Sequence, residues 1–83
     1  MIETKITFQN NAEVTVQAQV FAGMALVSTG VAGPGETCSL TSEDQRYDIF
    51  FKNGTTGWEI GRRLGCEAKS FTLSKKKGRY VIT

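Results

Sequence analysis

Apolar and polar residues alternate along most of this chain with a period of two, and no stretch shows a convincing helical period. In residues 47–52, Tyr47, Ile49 and Phe51 fall on one face and Asp48, Phe50 and Lys52 on the other. Only an extended strand can use that spacing. Asn53-Gly54 and Gly57 then let the chain reverse, because Asn and Gly tolerate the backbone angles a tight turn demands. Trp58 and Ile60 alternate with Glu59 and Gly61 on the way back. Residues 47–61 are therefore expected to form a β-hairpin at the centre of the fold.

The same pattern recurs on both sides. Residues 2–9 place Ile2, Ile6 and Phe8 on one face, and Asn10-Asn11 reads as a turn. Residues 13–21 give the most regular strand, with Val14, Val16, Ala18 and Val20 inward and Phe21 on the polar face. The period does not decide which of residues 24–29 point in. Residues 30–35 (GVAGPG) read as the main break, since Pro34 has no amide hydrogen to donate to a ladder. Pairing resumes over 36–41 with Cys38 and Leu40 inward. Residues 42–45 read as a polar turn, and 62–68 as an irregular crossing or bulge. Phe71 and Leu73 define another strand, Lys75-Lys76-Lys77-Gly78 a turn, and Tyr80 and Ile82 a last strand. About eight short strands with turn signals every 8–12 residues predict an all-β fold, a small antiparallel β-sandwich or compact barrel formed by residues 1–83 as a single domain. Val14, Val16, Ala18, Val20, Ile49, Phe51, Trp58 and Ile60 are expected to share its core.

Composition narrows the class without naming a task. Forty per cent apolar and 22% charged residues suit a globular chain, and 83 residues lie near the lower end of what one core supports unaided. No run approaches the roughly 20 apolar residues that span a bilayer as a helix. The first ten residues carry Glu3 and Lys5 and no apolar segment, so no signal peptide is expected and the cytoplasm is the default compartment. Charge is uneven along the chain. Residues 1–48 hold two basic and six acidic groups, a net −4; residues 49–83 hold eight basic and two acidic, a net +6.

Candidate chemistry is sparse. The chain has no His, the usual neutral-pH proton carrier and the commonest transition-metal ligand, and its Ser and Thr residues lack a base to activate them. Glu43, Asp44 and Asp48 match no known metal-ligand spacing and read as a solvated turn. No catalytic residue, metal or cofactor is expected, and the chain is not expected to be an enzyme. Cys38 and Cys66 are either a disulfide, worth roughly 3.5 kcal/mol through loop entropy, or two reduced, partly buried thiols. Lys75, Lys76, Lys77 and Arg79, with Arg62 and Arg63, form a basic set that could meet a polyanion beside stacking aromatics, or could simply keep an edge soluble.

The remaining signal is aromatic. Phe21 and Phe50 fall off the core face and Trp58 sits beside a Gly-rich turn, so together they could form a platform for a protein, a glycan or a membrane surface. The expected function is thus a non-catalytic binding module using Phe21, Phe50, Trp58, Arg62, Arg63, Lys75, Lys76, Lys77 and Arg79. A homo-oligomer, most simply a dimer, is the first partner expected. Nucleic acid or another polyanion on the basic segment is the alternative.

Overall fold

The period-two pattern becomes eight strands in the computed structural model, which describes residues 3–83. They are β1 (Thr4–Asn10), β2 (Val16–Ala22), β3 (Ala25–Ala32), β4 (Thr37–Ser42), β5 (Tyr47–Asn53), β6 (Glu59–Cys66), β7 (Ser70–Lys76) and β8 (Arg79–Ile82). Two four-stranded sheets, ordered β4-β1-β7-β8 and β3-β2-β5-β6, pack face to face as a sandwich. Adjacent strands run antiparallel apart from β1 and β7, which run parallel. The edges of the sheets also meet, β3 over β4 and β6 over β8.

The central strands supply most of the core, and Ala32 of β3 and Leu40 of β4 join it from the edges. Ile6 and Phe8 of β1, Val16, Ala18 and Val20 of β2, Ile49 and Phe51 of β5, and Phe71 and Leu73 of β7 are buried. Phe51 lies at its middle, with its ring 4.8 Å from Phe8 and 5.7 Å from Phe71, centroid to centroid. Val14 and Ile60 pack at the margin. Trp58 does not join them: it is 78% exposed, a correction to the expected core. It precedes Glu59, the first residue of β6, and so stands in the turn, past the last paired residue of its own strand.

Other expectations shift for local reasons. Ile2 lies outside the described residues. The second strand starts at Val16 instead of residue 13, since the preceding residues carry the chain from one sheet to the other. The break at 30–35 is narrower than the glycines suggest, because β3 continues through Gly30, Val31 and Ala32. Gly30 is needed there for closeness: a Cβ on it would lie 3.1 Å from the Cys38 sulfur. A bulge between Val20 and Phe21 settles residues 24–29, leaving Leu26 half exposed and Val27 packed against the core. In β6 a register shift between the Ile49–Arg63 and Tyr47–Cys66 pairs accounts for the missing period over 62–68, and another falls earlier, between Glu59 and Gly61.

Asn10 does more than turn the chain. Its side chain is fully buried. Nδ2 donates to the carbonyls of Val14 (2.7 Å) and Ala32 (3.0 Å), and Oδ1 accepts from the Ala12 amide at 2.9 Å. Its backbone amide donates to Glu36 O and its carbonyl accepts from Gly35. One amide side chain thereby ties β1, the β1–β2 crossing and the end of β3 together. Cys38 and Cys66 sit on β4 and β6, edge strands of different sheets that stack on different partners, and both are free thiols. Burial raises the pKa of each.

Candidate functional site

The topology sorts the predicted site residues into two places. The first is the outer face of the β3-β2-β5-β6 sheet. The inward positions of β2 and β5 are taken by Val16, Ala18, Val20, Ile49 and Phe51, so the alternate residues must face solvent. Gln17, Gln19 and Phe21 lie opposite Lys52, Phe50 and Asp48. On the flanks, Leu26 of β3 lies opposite Phe21, and Arg62 and Glu59 of β6 lie opposite Phe50 and Lys52.

Phe21 and Phe50 meet edge to face, with ring centroids 5.4 Å apart and planes at 81°, the arrangement that ring quadrupoles favour. Each shields part of the other, so both are half-buried. The Arg62 guanidinium lies 5.9 Å from the Phe50 centroid and its Nε is 3.6 Å from a Glu59 carboxylate oxygen. A shallow depression of about 220 Å³ is lined by Gln19, Phe21, Phe50, Lys52 and Glu59. In its wall Gln19 Oε1 is shut off from solvent with no hydrogen-bond partner. Exposed Leu26, Met24 and Val31 extend the apolar surface across β3 and its hairpin with β2.

The second place is one end of the sandwich, where two hairpin tips are held by one segment. Thr15 O accepts from the Gly54 amide and so fixes the β5–β6 turn. Asn53 Oδ1 accepts from the amides of Thr55 and Thr56, and Gly57 takes a positive φ of 79° to close the turn at Trp58. Two residues before Thr15, Glu13 accepts from Lys75 Nζ at 2.9 Å and from the Tyr80 hydroxyl at 3.2 Å, fixing the β7–β8 hairpin. The Lys75 hydrogen bond holds the Glu13 carboxyl below the ordinary carboxylate range, and Glu13 in turn pushes the Lys75 ammonium up. Lys76 pairs with Arg79 across a two-residue loop, Lys77-Gly78, whose φ values of 52° and 77° make it a type I′ turn.

The basic set therefore divides. Lys75 is engaged by Glu13, Arg62 by Glu59 and Phe50, and Arg63 donates to the carbonyls of Arg62 (2.8 Å) and Ile82 (3.0 Å), bridging β6 to β8. Lys76, Lys77 and Arg79 are exposed at the tip, and no ion pair engages them among the described residues. Spacing along the chain could not separate engaged cations from unengaged ones, since the partners are up to 62 residues away. The role of segment 13–15 as a brace was equally hidden, because its contacts reach two distant hairpins.

At the opposite end a larger cleft of about 400 Å³ is lined by Glu3, Thr4, Lys5, Gln45, Glu67 and Lys69. Its carboxylates and ammonium groups offset one another, and its lining holds no aromatic ring. Asp48, one of the three clustered acids, accepts from the Gly65 amide at 2.8 Å. Among the described residues no three His, Cys, Asp or Glu side chains gather as metal ligands, and no helix is long and apolar enough to cross a membrane. Comparison of the chain with protein-family models, with curated proteins and with solved structures finds no match.

Proposed function

We propose that this domain is a non-catalytic interaction module, and that the outer face of the β3-β2-β5-β6 sheet docks a second copy of the chain. The observation that carries the reading is the pattern around Phe50. Asp48 and Lys52 stand two residues to either side of it on the same face. A two-fold axis lying across the strands at the Phe50 position sets Asp48 of one copy against Lys52 of the other, twice, while the two Phe50 rings meet at the centre and each Phe21 flanks them. Charge and apolar surface are thus self-complementary, as an isologous interface requires.

A further feature supports the same face. The apolar surface continues from Phe50 through Phe21 to Leu26 and Met24, larger than scattered single side chains. The absence of His and of an activated nucleophile fits a role that needs no turnover.

Sedimentation equilibrium across a concentration series tests the proposal. The parent should dimerise, and Phe21→Ser with Phe50→Ser should give a folded monomer. Lys52→Asp alone should weaken the dimer, and Asp48→Lys added to it should restore association by reversing both charges. A parent that stays monomeric at high micromolar concentration, beside a double Ser variant that unfolds, would return both rings to a purely structural role.

A further inference from the structure

The end of the sandwich carries a second surface that the docking face does not use. We propose that the two hairpin tips at this end, presenting Trp58, Lys76, Lys77 and Arg79, dock on an anionic lipid bilayer.

Three observations lead there. Trp58 is 78% exposed, and its turn is built to hold it out. The Asn53 side chain caps Thr55 and Thr56, and the Asn53 amide donates to Trp58 O at 2.8 Å. A rigid turn that offers a Trp to solvent has little value to the core, whereas the indole ring suits the headgroup level of a bilayer. Next, Lys77 occupies a left-handed position, φ 52°, in the first half of a type I′ turn. Asn or Gly adopts that geometry with less strain, and among the described residues no ion pair of Lys77 offsets it. A strained backbone position whose side chain makes no ion pair inside the molecule points outward to a function. Finally, Glu13 and Thr15 brace the two hairpins from a single short segment. The indole and the unengaged cations are therefore presented together, at one end of a body measuring 40 × 20 × 18 Å.

The shape selects the partner. Single-stranded nucleic acid is bound along a groove by successive stacked rings. Here the surface is a pair of projecting tips. Tyr80, the ring next to Arg79, is half-buried, with its hydroxyl on Glu13 and Lys75 Nζ 5.4 Å from its centroid. A bilayer needs no groove. It takes a Trp at the interface while Lys and Arg meet anionic headgroups, each cation near the surface adding roughly fivefold to partitioning.

The chain carries its own probe, because Trp58 is its only Trp. The full chain is mixed with vesicles of phosphatidylcholine alone, or of phosphatidylcholine with phosphatidylserine, and followed by co-sedimentation and Trp emission. Binding and a blue shift are expected with phosphatidylserine vesicles, weakening as salt rises. Lys77→Asn should lower the partition coefficient roughly fivefold while the melting temperature holds or rises, since Asn suits this turn; a folding defect cannot mimic that combination. Replacing Lys76, Lys77 and Arg79 together should cost on the order of a hundredfold, and Trp58→Ala should remove tight binding from a folded protein. The proposal is overturned by failure to bind phosphatidylserine vesicles, or by equal binding to both vesicle types. It is likewise overturned if a single-stranded oligonucleotide quenches Trp58 while vesicles leave it unchanged. None of these variants touches Phe21 or Phe50, so dimerisation stands or falls separately.

Discussion

Asn10→Ala removes one amide from the buried junction of three segments and tests how the sandwich is held at that end. The Val14 and Ala32 carbonyls lose their donor and the Ala12 amide loses its acceptor. A buried polar group without a partner costs about 1–3 kcal/mol. The truncation also opens space near polar groups, where a water molecule could replace part of what is lost. Taking the low end for each of the three gives about 3 kcal/mol. The whole domain is worth roughly 4–12 kcal/mol at 0.05–0.15 kcal/mol per residue, so a large share of its stability is at stake. At about 4–8 °C per kcal/mol for a domain of this size, the melting temperature should fall by roughly 12–24 °C.

Thermal and urea unfolding followed by far-ultraviolet circular dichroism would measure the change, with two companion variants to separate causes. Asn11→Ala alters the exposed neighbour, whose side chain only accepts from Gln9, and should stay within about 0.5 kcal/mol. Asn10→Asp keeps the shape but aims a carboxylate at two carbonyls. It should therefore be severely destabilised at neutral pH and recover in part when acid restores one donor. If Asn10→Ala melts within about 0.5 kcal/mol of the parent, or Asn10→Asp behaves as the parent does, the hydrogen bonds do not carry the junction.

Two other expectations follow from the core. Phe51→Ala should cost about 3–5 kcal/mol in urea unfolding, because Phe51 is fully buried between Phe8 and Phe71; a near-parental midpoint would contradict its central place. Stability should also fall in alkali. Burial raises the pKa of Tyr47, Cys38 and Cys66 above the ordinary 10.0 and 9.0, so the unfolded chain releases these protons first. Their contribution is intact below pH 9.0 and declines as pH rises through the folded values. Tyr47→Phe, which removes one of the three groups and its hydrogen bond to Ala68 O, should flatten the alkaline decline in melting temperature. A profile identical to the parent's would exclude Tyr47 as a source.

Where one face of a strand is buried along its length, the sequence declares it. The alternations of β1, β2, β5 and β7 are of this kind, and the eight strands and the two-layer class followed from them. The outward placement of Phe21 and Phe50 came from the same alternation, and their meeting required only that β2 and β5 be neighbours. Elements that depend on distant partners were illegible. Trp58 had an apolar identity and an inward phase, yet it precedes the first paired residue of its strand. Asn10 looked like half of an Asn-Asn turn, since nothing local reveals that Ala32 and Val14 will bring their carbonyls to it. The six clustered cations looked equivalent until Glu13, Glu59 and the Ile82 carbonyl engaged three of them.

The layout also keeps most residues of the proposed interaction surfaces apart from those that hold the fold. Residues whose loss should cost the most stability, Asn10 and Phe51 among them, lie on β1 and β5, each inside its sheet. Trp58, Arg62, Lys76, Lys77 and Arg79 lie on the edge strands, in the hairpin turns or at the last residue of β7, and all are exposed. Substitution there falls within the range expected of surface changes, about 0.5 kcal/mol either way. Phe21 and Phe50 are the exception, since they sit on inner strands and shield one another. Their replacement removes cross-strand aromatic contact, worth roughly 0.2–1 kcal/mol per pair, whether or not a second copy binds. Stability loss in the double Ser variant is therefore decisive only beside the parent's own oligomeric state. The charge-swapped pair at Asp48 and Lys52 avoids this difficulty, because a second reversal that restores association cannot arise from a damaged fold. Failure of that restoration, with both variants folded, would reject the two-fold arrangement on its own.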